Sequence, residues 1–314
     1  MNGTTKQDVR IPPGCEVTVF VAGHTLRIQY LSRINHTPAM KKLSNGRYLH
    51  QETGEVIISR KKPPENRLES VKSLKKTFQK LGLLIQANTS DVEKVRWVTL
   101  TYAENMTDLK QLYLDYKRFY QRFRTYCRRR GWEVPEYISV VEPQGRGAWH
   151  LHLFLIWMNT PAPFFSNDDL HELWRHGFTK ITGLRQEDNA AGYLMAYLTD
   201  LGADEEQGMP PAASDSEQER LGGKRSKKII KGGRLNLYPS GMNIYRHSNG
   251  IKQPIKKRML MRQASELVRG KTPVFSKCCL IKGEDGFEAY YKLLEYRNCE
   301  GSKENNQGEC PANI

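Results

Sequence analysis

The sequence predicts a mixed α+β fold, because two kinds of hydrophobic spacing alternate along it. Runs in which every second residue is apolar, such as Val17, Val19 and Val21, are typical of strands. Segments whose apolar residues recur every three or four positions are typical of helices, and they include 68–85 and 109–127. With 314 residues, 38% of them hydrophobic, the chain can bury a sizeable core in one or two domains.

The first sixty residues predict two β-hairpins. The first turns at Ala22-Gly23 and the second at Glu52-Thr53-Gly54, each between alternating apolar residues. The apolar spacing of the segment after Pro63-Pro64 then predicts a helix. We assign residues 1–90 to this N-terminal region.

The middle of the chain predicts a longer alternation of strands and helices. Asp108 is a suitable N-cap for the second helix, and Gly131 is a suitable stop. The predicted strands are 95–101, 136–141, 148–157 and 177–182, and the predicted helices are 109–130, 168–175 and 189–201. We assign residues 91–202 to a core domain.

Composition changes sharply after residue 202. Residues 203–223 are acidic and rich in Gly, Pro, Ala and Ser, which predicts a flexible linker. From Lys224 to Ser265 there are twelve Lys or Arg residues and no carboxylate. We therefore assign 224–299 to a basic extension and 300–314 to a disordered polar tail.

The net charge of +15 favours a polyanionic partner. Nucleic acid is the first expectation, and an anionic membrane surface is the alternative. No apolar stretch approaches the roughly 20 residues that span a bilayer, and no secretory leader is visible at the N-terminus. The six cysteines are scattered without a CxxC pair, so reduced thiols in a cytoplasmic protein are expected.

A histidine pair is the first candidate for chemistry. His150 and His152 alternate with apolar residues in a predicted strand, so they share one face of it. Glu142 ends the preceding strand, and a turn over 143–147 would bring it near them. Two imidazoles and a carboxylate suit a divalent ion with open positions, and Mg²⁺ or Mn²⁺ suits phosphate chemistry. The alternatives are core histidines with protein partners, or a surface pair.

A tyrosine pair is the second candidate. Tyr193 and Tyr197 lie four residues apart, so they share a helix face. A phenol can attack a phosphodiester and form a covalent phosphotyrosine, and two phenols would allow two transfers. Two aromatic residues at this spacing are also common in cores. The basic extension could likewise follow a phosphate backbone or merely form a solvated face.

Together these features resemble a rolling-circle replication initiator of the HUH endonuclease superfamily, from a bacterial plasmid, phage or integrative element. The first motif resembles Trp97–Tyr102, and the second resembles Glu142 with the segment Gly145–His152. The third is the helix that carries Tyr193 and Tyr197. The stretch 238–252 resembles a further segment of such initiators. No motif of an ATP-driven motor occurs in the chain.

The resemblance implies an antiparallel sheet with helices packed on it, and nicking of origin DNA at a single-stranded or hairpin site. It implies a 5′-phosphotyrosine made by Tyr197, with Tyr193 as second nucleophile, and a metal ion on Glu142, His150 and His152. Many relatives carry lysines where this chain has Ala196 and Asp200, so Lys180 or the basic extension must replace them. The residues predicted to contact DNA are Arg146, Lys180, Lys224, Arg225, Lys227, Lys228, Lys231, Arg234, Arg246 and Lys252.

The resemblance also implies partners and leaves other functions open. A separate helicase and a DNA polymerase would act with the initiator, and no membrane would be involved. A conjugative relaxase or a transposase would use the same chemistry. A non-catalytic DNA-binding regulator, or an RNA-binding module, would keep the basic surface without cleavage.

Overall fold

The computed structural model describes residues 8–33, 40–44, 47–50, 53–58, 66, 71–144, 147–185, 237–282 and 287–297. In these parts of the chain it has three antiparallel sheets and four α-helices. The strands are β1 (Glu16–Ala22), β2 (Thr25–Leu31), β3 (Lys41–Lys42), β4 (Arg47–Leu49), β5 (Val56–Ile58), β6 (Val95–Leu100), β7 (Glu136–Pro143), β8 (Trp149–Ile156), β9 (Thr179–Gly183), β10 (Tyr245–His247), β11 (Ile255–Leu260), β12 (Phe275–Lys282) and β13 (Glu288–Arg297). The helices are α1 (Val71–Asn88), α2 (Leu109–Arg129), α3 (Asn167–Trp174) and α4 (Met261–Glu266). The mixed fold predicted from the spacing is confirmed.

The central sheet has the strand order β10-β7-β8-β6-β9, and every neighbouring pair is antiparallel. Strand β8 lies in the middle, and Leu151, Leu153 and Leu155 on one of its faces are completely or almost completely buried. Four of its five strands correspond to strands that the sequence predicts at 95–101, 136–141, 148–157 and 177–182. The antiparallel arrangement expected from the resemblance is therefore found.

Helix α2 packs on the face of the central sheet that carries these leucines. Asp108 caps the helix, since its carboxylate accepts a hydrogen bond from the Lys110 amide at 2.7 Å. Gly131 follows the helix with a φ of 67°, which favours glycine. The Tyr116 ring lies 5.4 Å from that of Tyr137 on β7, which fixes the side of the sheet that α2 covers.

The second sheet joins the two ends of the chain. Its order is β11-β1-β2-β13-β12, so the first hairpin pairs with strands more than 200 residues later. Arg27 on β2 and Glu295 on β13 form a buried ion pair with a nitrogen–oxygen distance of 2.6 Å. The sequence predicted the hairpin but none of the strands β11, β12 and β13.

Helix α1 connects the two sheets. Leu74, Leu81 and Ile85 belong to the same hydrophobic core as the central sheet. At its C-terminal end, the Asn88 side chain accepts a hydrogen bond from the Lys252 amide at 2.9 Å and donates one to its carbonyl at 2.8 Å. The segment between β10 and β11, which leads from one sheet to the other, is thereby held against α1.

Strand pairing crosses the segments into which we divided the sequence. Strand β10 belongs to 224–299 but completes the sheet of 91–202, and β11 to β13 pair with strands of 1–90. The predicted linker 203–223 and tail 300–314 lie outside the described residues. In the parts of the chain that are described, no helix combines the length and the apolar character needed to cross a bilayer.

Candidate active site

The pairing register brings the three predicted metal ligands together. Glu142 on β7 lies directly opposite His150 on β8, and His152 lies opposite Val140 and, on the other side, opposite Thr99 of β6. Residues directly opposite each other share a face, with Cβ atoms about 5 Å apart. We call this the histidine face of the central sheet, and it is opposite to the face that α2 covers.

Two hydrogen bonds fix the ring of His152. Its Nε2 atom lies 2.7 Å from Glu142 Oε2, and its Nδ1 atom lies 3.3 Å from Thr99 Oγ1. The side chains of Glu142 and His152 are only 6% and 10% exposed. Trp97 adds an edge-on ring contact with His152 at 6.0 Å between centroids. His152 is thus held between a carboxylate and a hydroxyl at the border of the core.

In the described residues, no group of three or more His, Cys, Asp or Glu side chains is positioned to hold a metal ion. The Glu142 and His152 side chains are instead hydrogen-bonded to each other. Their donor chemistry nevertheless fits a divalent ion, because neighbouring ligands of an octahedral site lie about 3 Å apart. With Nε2 on an ion, His152 Nδ1 would donate its proton to Thr99, which is the usual support of a metal-bound imidazole. His150 would then have to turn towards the pair.

Of the predicted DNA-contacting residues that are described, one lies on the histidine face. Lys180 on β9 pairs with Thr99 and is exposed, so it projects on the same side as His152. Arg246 on β10 pairs with Ser139 and projects to the opposite face, where its guanidinium lies 3.6 Å from the centre of the Tyr113 ring. Exposed Lys252 lies beyond β10, in the segment held by Asn88.

The comparison with protein families agrees with this region of the chain. Residues 95–201 match the family model of replication-associated protein ORF2. The part of the chain that it covers, called the family-matched segment below, is about a third of the 314 residues. A search of curated proteins and a search of solved structures gave no match. The match confirms the resemblance to replication proteins and is consistent with a rolling-circle replication initiator.

The family-matched segment contains all three predicted ligands and both predicted nucleophiles. Tyr193 and Tyr197, however, lie outside the described residues, so their distance from His150 and His152 is not part of the geometry above. The other predicted DNA-contacting residues outside the described part are Arg146, Lys224, Arg225, Lys227, Lys228, Lys231 and Arg234.

A buried carboxylate lies on the other side of the same sheet end, and the sequence analysis missed it. Asp115 on α2 is 1% exposed and accepts hydrogen bonds from the Tyr102 hydroxyl at 3.1 Å and from Gln111 Nε2 at 2.8 Å. Its Oδ1 also lies 3.6 Å from His176 Nε2. Burial, and then the charge of Asp115, raise the pKa of Tyr102. The phenol therefore stays protonated and ties α2 to the segment after β6.

Thr99 was also missed as a single residue, although it lies in the first motif. Its position in an alternating strand would have placed it on a polar side, but only the pairing of β6 with β8 puts it beside His152. Asp115 gave even less indication, because one acidic residue in a charged helix is normally solvated.

Proposed function

We propose that this chain is a rolling-circle replication initiator of the HUH endonuclease type, which nicks one strand of origin DNA and transfers it through a phosphotyrosine. The observation that carries the proposal is the register of β7 and β8, which brings Glu142, His150 and His152 together inside the family-matched segment. The net charge of +15 adds general support, since a nicking enzyme must bind a polyanion.

The proposed reaction is an in-line displacement at phosphorus. The phenolic oxygen of Tyr197 forms a bond to phosphorus while the bond from phosphorus to the 3′ oxygen breaks. The phenol loses its proton to solvent or to a nearby base, and the leaving oxygen takes up a proton to give a free 3′-OH. The 5′ end stays attached to the enzyme. Attack by a 3′-OH reverses the step and rejoins the strand, and Tyr193 would serve a second transfer.

A divalent ion, Mg²⁺ or Mn²⁺, is proposed as the cofactor, with Glu142, His150 and His152 as its protein ligands. When bound, such an ion polarises a phosphate oxygen and neutralises developing charge. Thr99 holds the imidazole of His152 in position, and the burial of Glu142 keeps its carboxylate from moving freely. Lys180 contributes a positive charge on the same face.

The proposed setting follows from this chemistry. The substrate is origin DNA with a single-stranded or hairpin nick site in a bacterial plasmid, phage or integrative element, and the reaction takes place in the cytoplasm. A separate helicase would unwind the duplex, and a DNA polymerase would extend the free 3′-OH. The linker 203–223 and the basic extension 224–299 would let Arg146 and the lysines and arginines from Lys224 to Lys252 follow the duplex or the displaced strand.

Covalent adduct formation tests the proposal directly. The full chain is incubated with Mn²⁺ and with labelled single-stranded oligonucleotides that tile its coding sequence and flanks, and adducts are separated on denaturing gels. We expect an adduct with at least one oligonucleotide, and its loss in the Tyr193→Phe/Tyr197→Phe variant. Tyr48→Phe, a tyrosine of the small sheet formed by β3 to β5, is the matched control and should leave the adduct unchanged.

The same assay separates the competing functions. If no oligonucleotide forms an adduct, or if the double tyrosine variant still forms one, the assignment is wrong and a non-catalytic DNA-binding protein becomes the better description. The His150→Ala/His152→Ala variant should form no adduct. Thermal unfolding adds an independent reading, because saturating Mn²⁺ at about 100 times its Kd should stabilise the wild type by about 2.7 kcal/mol and this variant not at all.

A further inference from the structure

Phe178 is an exposed aromatic residue at the end of the central sheet. Its side chain is 67% exposed, and it directly precedes β9. The Thr101 amide and the Thr101 hydroxyl both donate to the Phe178 carbonyl at 2.9 Å, so the ladder between β6 and β9 continues through it. Single exposed apolar residues are common on protein surfaces. Phe178 differs from them by its position and by its fixed backbone.

The position of Phe178 follows from strand geometry. Side chains two residues apart on a strand share a face, so Phe178 projects on the same side as Lys180. Lys180 and His152 are both partners of Thr99, which identifies this side as the histidine face. Two strand spacings separate Phe178 from His150, a distance of about 10 Å at the backbone. An aromatic ring, a lysine and the candidate site therefore share one surface.

The backbone that carries this ring is tightly held. The Ala103 amide donates to the His176 carbonyl at 2.9 Å, and Thr101 bonds Phe178 two residues later. Between them, a Cβ atom at Gly177 would lie only 2.4 Å from the Ala103 nitrogen. Glycine therefore permits the two segments to approach closely. The ring is presented to solvent on a rigid support, so ordering it on binding costs little conformational entropy.

We propose that Phe178 is a stacking platform for one base of single-stranded DNA lying across the histidine face, with Lys180 on a neighbouring phosphate. Proteins hold single strands by this combination of aromatic rings and positive charge, and any base can stack on a ring. Duplex bases are already stacked on each other, so the platform selects unpaired DNA. The inference rests on the proposed function, because that function brings a single strand to this face.

Binding without cleavage tests the inference. The full chain is titrated in EDTA against a fluorescein-labelled single strand of mixed sequence, about 16 nucleotides long, and against the same sequence as a duplex. Phe178→Ala should weaken single-strand binding by about 5-fold to 150-fold and change duplex binding by less than about twofold. The matched control is Phe164→Ala. Phe164 is 85% exposed in the segment after β8, at the end of the sheet remote from His150, and its loss should have no effect.

Two conservative variants separate stacking from simple apolar contact. Phe178→Tyr keeps an aromatic face and should bind like the wild type, whereas Phe178→Leu keeps apolar bulk and should bind like Phe178→Ala. Full affinity in Phe178→Leu, equal effects at Phe164, or an equal loss of duplex binding would each overturn the inference. Because EDTA prevents metal-dependent nicking, the outcome does not depend on whether an adduct forms in the assay of the preceding section.

Discussion

The hydrogen bond between Glu142 and His152 leads to a quantitative prediction about stability. We consider the variants Glu142→Ala, His152→Ala and the double variant. In the wild type the two side chains are joined at 2.7 Å and are 6% and 10% exposed, so water cannot readily replace either partner. A buried polar group that loses its partner costs about 1–3 kcal/mol. Each single variant should therefore lower the free energy of unfolding by about 2 kcal/mol or more.

The double variant should lose less than the sum of the single losses. Once Glu142 is removed, His152 is already without its carboxylate, so deleting it as well costs little extra. We expect a coupling free energy of about 1–3 kcal/mol at pH 7, measured by urea unfolding followed by tryptophan fluorescence. A cycle of His152→Ala with Glu133→Ala is the control, because Glu133 lies before the opposite end of β7, where it accepts from residues 158–160. That control should be additive to within about 0.5 kcal/mol.

A coupling of less than about 0.5 kcal/mol between Glu142 and His152 would refute this reasoning. The two groups would then be solvated or separated in solution, and the fit of the ligand set to an ion would lose its geometric basis. A coupling in the expected range, together with loss of the adduct in Glu142→Ala, would show that one carboxylate serves both stability and chemistry.

Three further predictions concern stability and reactivity. Burial alone would raise the pKa of Glu133, but hydrogen bonds from residues 158–160 outweigh it and lower that pKa, so its stabilisation is complete above the unfolded value of about 4.3 and is lost as pH falls through the lower folded value; Glu133→Gln should cost about 1 kcal/mol at pH 7, and calorimetric scans should show the difference shrinking below about pH 4. Gly177→Ala forces a Cβ to 2.4 Å from a backbone nitrogen and should cost about 1–3 kcal/mol in urea unfolding, whereas Gly183→Ala, with nothing within 4 Å, should change stability by less than about 0.5 kcal/mol. Burial raises the pKa of Cys127 to about 11, so mass spectrometry should find it unmodified by iodoacetamide at about pH 8 in the native chain and modified after unfolding; rapid native modification would contradict the packing of α2.

The local elements of the site region could be predicted from the sequence because each one is amphipathic. The alternation around His150 and His152 predicted a strand with both rings on one face, and β8 has that alternation. Asp108 and Gly131 predicted the limits of α2 through backbone chemistry that acts within a few residues. The short turn after Glu142 also made its approach to His150 predictable, since a hairpin of known length leaves few registers.

The second sheet could not be predicted in the same way. Strand β11 is an edge strand whose first four residues are exposed, so its lysines and arginine read as a charge run without alternation. Strand β13 is buried over most of its length and also lacks a period of two. Its pairing with β2 joins residues more than 250 positions apart, and no local spacing encodes such a contact.

The sequence by itself therefore determined which side chains could act and on which face of their own element they lie, because alternation and helical spacing are properties of a few consecutive residues. Only the tertiary structure decided which faces meet. Strand pairing put Thr99 beside His152, turned Arg246 to the opposite side from Lys180, and brought Phe178 to the same face as the histidines. These relations depend on register between distant strands, which is set by the packing of the whole core rather than by any segment alone.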